Sequence, residues 1–523
     1  MAFTLMYGNA VAAEDHVERM NVVATGGDSA EAQNPGIGNL RIATSGNAIE
    51  NKATGSNGIK QESIQLANLA TLSDAVKNAP VYSVGSTEEL SNALATISAD
   101  QDNEEAVIEL TTNVDVPHLV NNQYVNEFGV SGKHITVCSA GENIYAFTFS
   151  NQAVLTGDCT FDNVDVKAYK LYCNGYRTIF TENGQIHLTG TLYGGGYKTS
   201  VASTYVVIAA TGEINPTATN GLHNVIGGSY QANVEGDTYL EITGDIKFKG
   251  GNHITPGCVM GDGTSGDANN SPDVSVGGTA TLIYDNKNAQ TSPSIVGTTG
   301  CEMKGDVILD VRSGKTNEIC GNYEYPEKSI IRGNLHIIAG TEEYENTDRT
   351  LRLGGNWPIS GGGNRFAISP FNTKMYTIDG NITIDTFENV WGWDKGETIP
   401  SDVPEIYGAL YCKVGGDITI NAHGSHMENI TGANSSTVRG SVTVNAVNVE
   451  LKNCYYETRY DEGNIYGLYE DKDVSNAGGP VTINVADGDI ALILATDQNE
   501  VNEGSSINVS GSPKVRTGVL GTA

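Results

Sequence analysis

Nothing in the 523-residue sequence approaches the ~18 consecutive apolar residues of a membrane-crossing helix, so no membrane span is expected. Positive charge is scarce as well: 30 Lys and Arg stand against 62 Asp and Glu, a net charge of −32. Nucleic-acid affinity comes from Lys and Arg neutralising phosphates, so this balance excludes a nucleic-acid partner. Anionic lipid is disfavoured for the same reason. The eight cysteines (Cys138, Cys159, Cys173, Cys258, Cys301, Cys320, Cys412, Cys454) include no Cys-x-x-Cys, which removes zinc-ribbon and thioredoxin-like chemistry. They are too dilute for a disulfide scaffold and are expected to act as buried small hydrophobes. Cys138 and Cys159, 21 residues apart, are placed to stack or bridge on neighbouring coils of a repeat.

The amino-terminal region lacks large side chains, with no aromatic residue between Tyr7 and Tyr82. Such a segment cannot offset its ordering entropy, and residues 14–80 are expected to form a leader with a marginal helix over Ile59–Asn78. Residues 1–13 are mainly apolar and end on Ala10-Val11-Ala12, the small-x-small pattern of a signal-peptidase site without its basic start. They are expected to be the remnant of a signal peptide, which implies a secreted or cell-surface protein of bacterial type. Residues 511–523 carry no anchor signal and are expected to continue in a longer protein.

What the sequence does have is length and glycine. A single core stops growing at roughly 250–300 residues, so the chain divides into domains or forms an elongated repeat. Its 63 glycines are spread along it rather than gathered in one tract, while prolines number only 14. Order is expected from residue 81. Ser86-Thr87-Glu88-Glu89 forms a capping box, and Leu90, Ala93, Leu94 and Ile97 supply one helical face over 81–105. Ile108, Leu110, Val114 and Val116 then alternate as in a strand. A helix there covers the open end of a repeat that would otherwise expose a strand edge.

Two motifs recur between residues 106 and 510. The first is glycine, commonly a polar residue, then alternating apolar positions, as in Gly305-Asp306-Val307-Ile308-Leu309, Gly380-Asn381-Ile382-Thr383-Ile384 and Gly440-Ser441-Val442-Thr443-Val444. The second is a short apolar run into glycine, as in Ile295-Val296-Gly297, Ile406-Tyr407-Gly408 and Ile465-Tyr466-Gly467. First-motif starts at 305 and 333 differ by 28, those at 416 and 440 by 24, and those at 333 and 380 by 47. An inserted loop region around 341–411 accounts for the longer interval. Two strand types in alternation predict coils that stack into parallel sheets, with Asn and Thr side chains forming ladders.

The runs Gly190-Thr191-Leu192-Tyr193-Gly194-Gly195-Gly196-Tyr197 and Leu155-Thr156-Gly157-Asp158-Cys159-Thr160-Phe161-Asp162-Asn163-Val164 resemble the pectin-lyase-like β-helix of bacterial cell-surface, adhesin-like proteins. The resemblance implies an all-β, right-handed parallel β-helix (a β-solenoid) with a short capping helix. That fold carries lyases, hydrolases and passive stalks alike, so it does not fix function.

Lyases of this kind need clustered carboxylates and a basic residue for the α-proton of a uronate. Arg349 and Arg352 are the closest arginine pair in the body, with no adjacent acidic trio. Hydrolases of this kind need closely spaced aspartates, and the sequence has neither an Asp-Asp pair nor Gly-His-Gly. His423 and His426 leave a strand for a turn, without the shared helical face of a metal pair. Asp262, Asp267 and Asp273 lie in an oxygen-rich loop of the kind Ca²⁺ prefers, without EF-hand spacing. Trp357, Trp391 and Trp393, the only tryptophans, fall with Tyr407 in the 341–411 region, and exposed rings stack on sugar faces. The expectation is a non-catalytic, adhesin-like protein that binds a glycan or host surface, alone or within a larger surface protein, with no cofactor other than calcium. The alternative is a polysaccharide lyase or glycoside hydrolase on the same fold.

Overall fold

The computed structural model describes residues 79–522 apart from 120–121, 217–222, 262–271, 289, 291, 355–357, 364–374, 393–403, 453–462, 470–474 and 497–498. The expected signal remnant and the Ile59–Asn78 helix lie outside these residues. The chain is an all-β parallel β-helix behind one capping helix. That helix, Thr87–Ala99, starts where predicted, with the Ser86 hydroxyl accepting from the Glu89 N–H at 3.2 Å. The Glu89 carboxylate reaches one residue further back than expected, to the Gly85 N–H at 2.7 Å. Leu90, Ala93 and Ile97 are buried on its inner face.

Successive coils then lay strands onto four faces. The first face includes Thr238–Ile242, Ala280–Asp285, Leu335–Ala339, Ile382–Thr386 and Ile418–His423, together with the first parts of Val307–Thr316, Val442–Leu451 and Val481–Thr496, which continue onto the next face. This is the first sequence motif, stacked in register: Val307 pairs with Leu335, then Ile382, Ile418, Val442 and Val481. A second face carries short strands such as Leu351–Leu353 and Val390–Trp391. The third stacks the second motif, with Ile295 over Ile319, Ile359, Ile406, Ile430 and Ile465. The fourth is the eight-stranded run from Val274–Val276 to Glu500–Val501. Among the described residues the one antiparallel pairing joins His118–Leu119 to Asn122–Phe128.

Alternate side chains point inward, and one apolar cluster runs from Val84 beside the helix to Ile507 in the last coil. Continuity of the core from coil to coil is what holds a repeat fold together. The glycines of the second motif are required by close approach rather than by turning. A Cβ on Gly321 would sit 2.3 Å from the Gly361 carbonyl oxygen, one on Gly361 2.1 Å from that of Gly408, and one on Gly408 2.2 Å from that of Gly432. Only hydrogen fits in that column.

Three expectations are corrected. Residues 341–411 are not one insertion, because Leu351–Leu353, Ile359–Ser360, Tyr376–Ile378, Ile382–Thr386, Val390–Trp391 and Ile406–Leu410 all join the stacked faces. Their apolar alternation matches the coils on either side, and the added length lies between strands. The solenoid also runs past the expected boundary at 510: Lys514–Thr522 pairs in parallel with Val481–Thr496. Cys138 and Cys159 are unbridged. Cys159 pairs with Ile135 rather than Cys138, which places the two cysteines three positions out of register.

Candidate functional site

On the outer side of the second face, one column of side chains climbs through successive coils. Lys315 pairs with Arg352, Arg352 with Trp391, Trp391 with His426, His426 with Glu450, Glu450 with Asp489, and Asp489 with Lys514. The indole of Trp391 lies on the imidazole of His426 with ring centres 3.6 Å apart and planes 17° apart. Beyond it, His426 Nδ1 is 3.0 Å from Glu450 Oε2, and Lys452 also pairs with Glu450. Burial opposes the charge on Glu450, but Lys452 and His426 outweigh it and hold the carboxyl below its ordinary value. Lys514 and Arg516 each reach Asp489 at 3.2 Å. The acidic end of the column is therefore neutralised, and its cationic end is Lys315 and Arg352.

At that cationic end lies a cavity of about 330 Å³. Asn286 and Lys287 line it from one coil, Ser313 and Gly314 from the next, and Asp348, Arg349, Thr350 and Arg352 from the third. Arg349 is fixed in the wall by a network. It donates to Asp285 Oδ1 at 2.6 Å, to Ser313 Oγ at 2.9 Å and to the Tyr344 hydroxyl, and its guanidinium sits 4.2 Å from the Tyr344 ring centre. Tyr344 in turn donates to Asp285 Oδ2 at 2.8 Å, and Ser313 to Asp285 Oδ1 at 2.5 Å. Burial and the Asp285 carboxylate push the Tyr344 phenol up to about 12, so it stays protonated and keeps donating. The segment between Thr341 and Thr350 is thereby strapped over the corner between the first two faces. It is held on the other side by Glu345, 3.4 Å from His423.

Beneath the strap, Arg312 donates twice to Asp310 Oδ2, at 2.9 and 2.7 Å. Burial raises the Asp310 carboxyl in spite of this partner, and its Oδ1 has no hydrogen bond. Asp385 shares its two oxygens between His336 Nε2 at 2.6 Å and Asn421 Nδ2 at 2.7 Å. The corner thus gathers three aspartates with two arginines and a histidine. A general base needs a lone pair within reach of the proton it abstracts. Both oxygens of Asp285 are occupied by donors within the strap network, so this carboxylate positions Arg349.

The residues singled out from sequence fare differently. Trp391 is half-buried in the column beside Arg352. Tyr407 is only 9% exposed, packs with Leu410 and Tyr411, and hydrogen-bonds Glu405, so it presents no open ring face. Trp357, Trp393, Asp262 and Asp267 lie outside the described residues. Asp273 is exposed and 3.3 Å from Lys328, and no group of three metal-ligating side chains occurs among the described residues. His423 and His426 go to different carboxylates, Glu345 and Glu450, rather than to a shared centre. Arg349 and Arg352, the arginine pair noted in the sequence, both form cavity wall. Asp285, Asp310, Arg312 and Tyr344 were not foreseen. The Asp310-x-Arg312 spacing, which puts both on one strand face, was the signal available.

No protein-family model, curated protein or solved structure matches the chain.

Proposed function

We propose that this chain is a non-catalytic, adhesin-like β-helix of the pectin-lyase-like type, displayed at a bacterial surface, that binds an anionic glycan. The register that brings Lys315, Arg352 and Trp391 into one column beside a cavity walled by Lys287 and Arg349 carries the reading. On a chain of net charge −32, Lys287, Lys315 and Arg352 around this cavity make a local excess of positive charge, while Arg349 is paired with Asp285 and Asp348 also lines the wall. Arginine suits a carboxylate or sulfate because its planar fork pairs with two oxygens at once. Trp391 on the next coil, half-buried with one face of its indole on His426, adds an aromatic group that a sugar ring can contact. Coils committed to packing leave binding to side chains and loops on the outside of a rigid scaffold. Calcium enters this reading only as a ligand for the 262–273 loop.

The test is titration of the whole protein with uronate and sulfated oligosaccharides, compared with Arg352→Ala and Trp391→Ala. Weakened binding in both folded variants supports the reading, and unchanged binding refutes it.

A second reading, a polysaccharide lyase or hydrolase, is favoured by one feature: buried Asp310, with a raised pKa and an unpartnered oxygen, beside Arg312. Release of unsaturated or reducing-end products, abolished in Asp310→Asn, would establish it in place of the first.

A further inference from the structure

A separate aromatic cluster lies on coils nearer the capping helix, built from Tyr172, Tyr193, Tyr197 and Tyr230. Tyr172 stacks on Tyr193 with ring centres 4.7 Å apart and planes 10° apart, and Tyr197 stacks on Tyr230 at 5.3 Å and 7°. The two stacks meet edge-on, Tyr172 against Tyr197 at 5.6 Å and Tyr193 against Tyr230 at 5.9 Å. Tyr172 and Tyr193 are 2% and 1% exposed, whereas Tyr197 keeps 48% of its surface in water.

The backbone is arranged to produce this. Tyr197 bridges Tyr230, which bridges Val259 on the coil beyond. The residue after each tyrosine, Lys198 and Gln231, takes a left-handed φ of 55° and 52°. Left-handed residues other than glycine occur at eleven described positions along this solenoid, so the conformation is one its turns use generally. Here one turn, used on two successive coils, sets two rings parallel at the surface. Lys198 Nζ lies over the Tyr197 ring, 5.3 Å from its centre.

We propose that Tyr197 and Lys198 form a second glycan site that takes a pyranose ring bearing a carboxylate, a uronic-acid residue. The ring held parallel to Tyr230 and buttressed by two buried tyrosines is a rigid platform, so little ordering entropy is lost when a sugar face stacks on it. The Lys198 ammonium held over the ring complements a carboxylate. One exposed ring is far smaller than the ~1,000 Å² that a stable protein interface needs, which argues against a protein partner. The site belongs to other faces and coils than the Arg352 cavity and stands whether or not that cavity binds.

The experiment uses the full chain carrying Arg352→Ala and Trp391→Ala, so that the first site does not contribute. It is titrated calorimetrically with a mannuronate tetrasaccharide and with cellotetraose as the neutral match. The expected result is saturable binding of the uronate at one site, weakened about tenfold or more by Tyr197→Ala and kept by Tyr197→Phe. Lys198→Asn, which tolerates the left-handed turn, should weaken the uronate and leave cellotetraose unchanged. Absence of uronate binding in the double-variant background overturns the proposal. So does a Tyr197→Ala protein with an unchanged melt that binds as tightly as its parent.

Discussion

Asn445 donates its side-chain N–H to the side-chain oxygen of Asn421 at 2.8 Å, one coil below it. Asn484 and Asn508 repeat the contact at 2.7 and 2.8 Å, and Asn421 ends the chain on Asp385 at 2.7 Å. Five coils are thus stitched along the outer side of the first face. The ladder fixes stacking register independently of the apolar core, because a one-residue slip would turn every amide inward.

Removing one rung should therefore cost more than the single bond lost. Asn445→Ala leaves Asn421 and Asn484 each short of a partner in a site only 9% exposed at Asn445. A loss of about 1–3 kcal/mol is expected, read as a lower denaturant midpoint. Asn508→Ala, at the exposed end, should cost little. Equal effects of the two would mean that the amides are not coupled.

The glycine column predicts a sharper response. In Gly408→Ala the new methyl would meet the Gly432 carbonyl oxygen at 2.2 Å and Ile418 Cγ2 at 2.5 Å. Two stacked coils must separate to admit it, at a cost of about 1–3 kcal/mol or more. Gly518→Ala, with nothing within 4 Å, is the control and should melt with the parent protein. A Gly408→Ala variant as stable as Gly518→Ala would show that the column is not close-packed.

Glu324 ties stability to pH. Burial pushes its carboxyl from the ordinary 4.5 up to about 7, so the folded state holds the proton more tightly than the unfolded chain. Its contribution is fully present below about pH 4.5 and is lost as pH rises through about 7. Glu324→Gln should raise the melting temperature at pH 8 more than at pH 5. A variant whose melting temperature changes equally at both would contradict this.

Much of the fold was legible because both motifs are local and periodic. Glycine with alternating β-branched residues at Gly305, Gly333, Gly380, Gly416 and Gly440 marked strands that do stack. The site was less legible because it is assembled across coils. Arg352, Trp391 and His426 are neighbours only through parallel register, and their sequence separations, 39 and 35, reflect loop lengths rather than chemistry. Composition picked out Trp391 but also Tyr407, whose burial depends on Leu410 and Tyr411. The strap network was invisible for the same reason, since Arg349 meets Asp285 from 64 residues away.

In the proposed function, the Arg352–Trp391 column binds an anionic glycan without cleaving it. The most direct measurement is calorimetric titration of the intact protein and of Arg352→Ala, at low and high salt, with product analysis of the same samples. Saturable binding is expected, weakened about tenfold or more by Arg352→Ala and by added salt, with the glycan recovered intact. Binding indifferent to Arg352, or shortened glycan in the recovered sample, would contradict it.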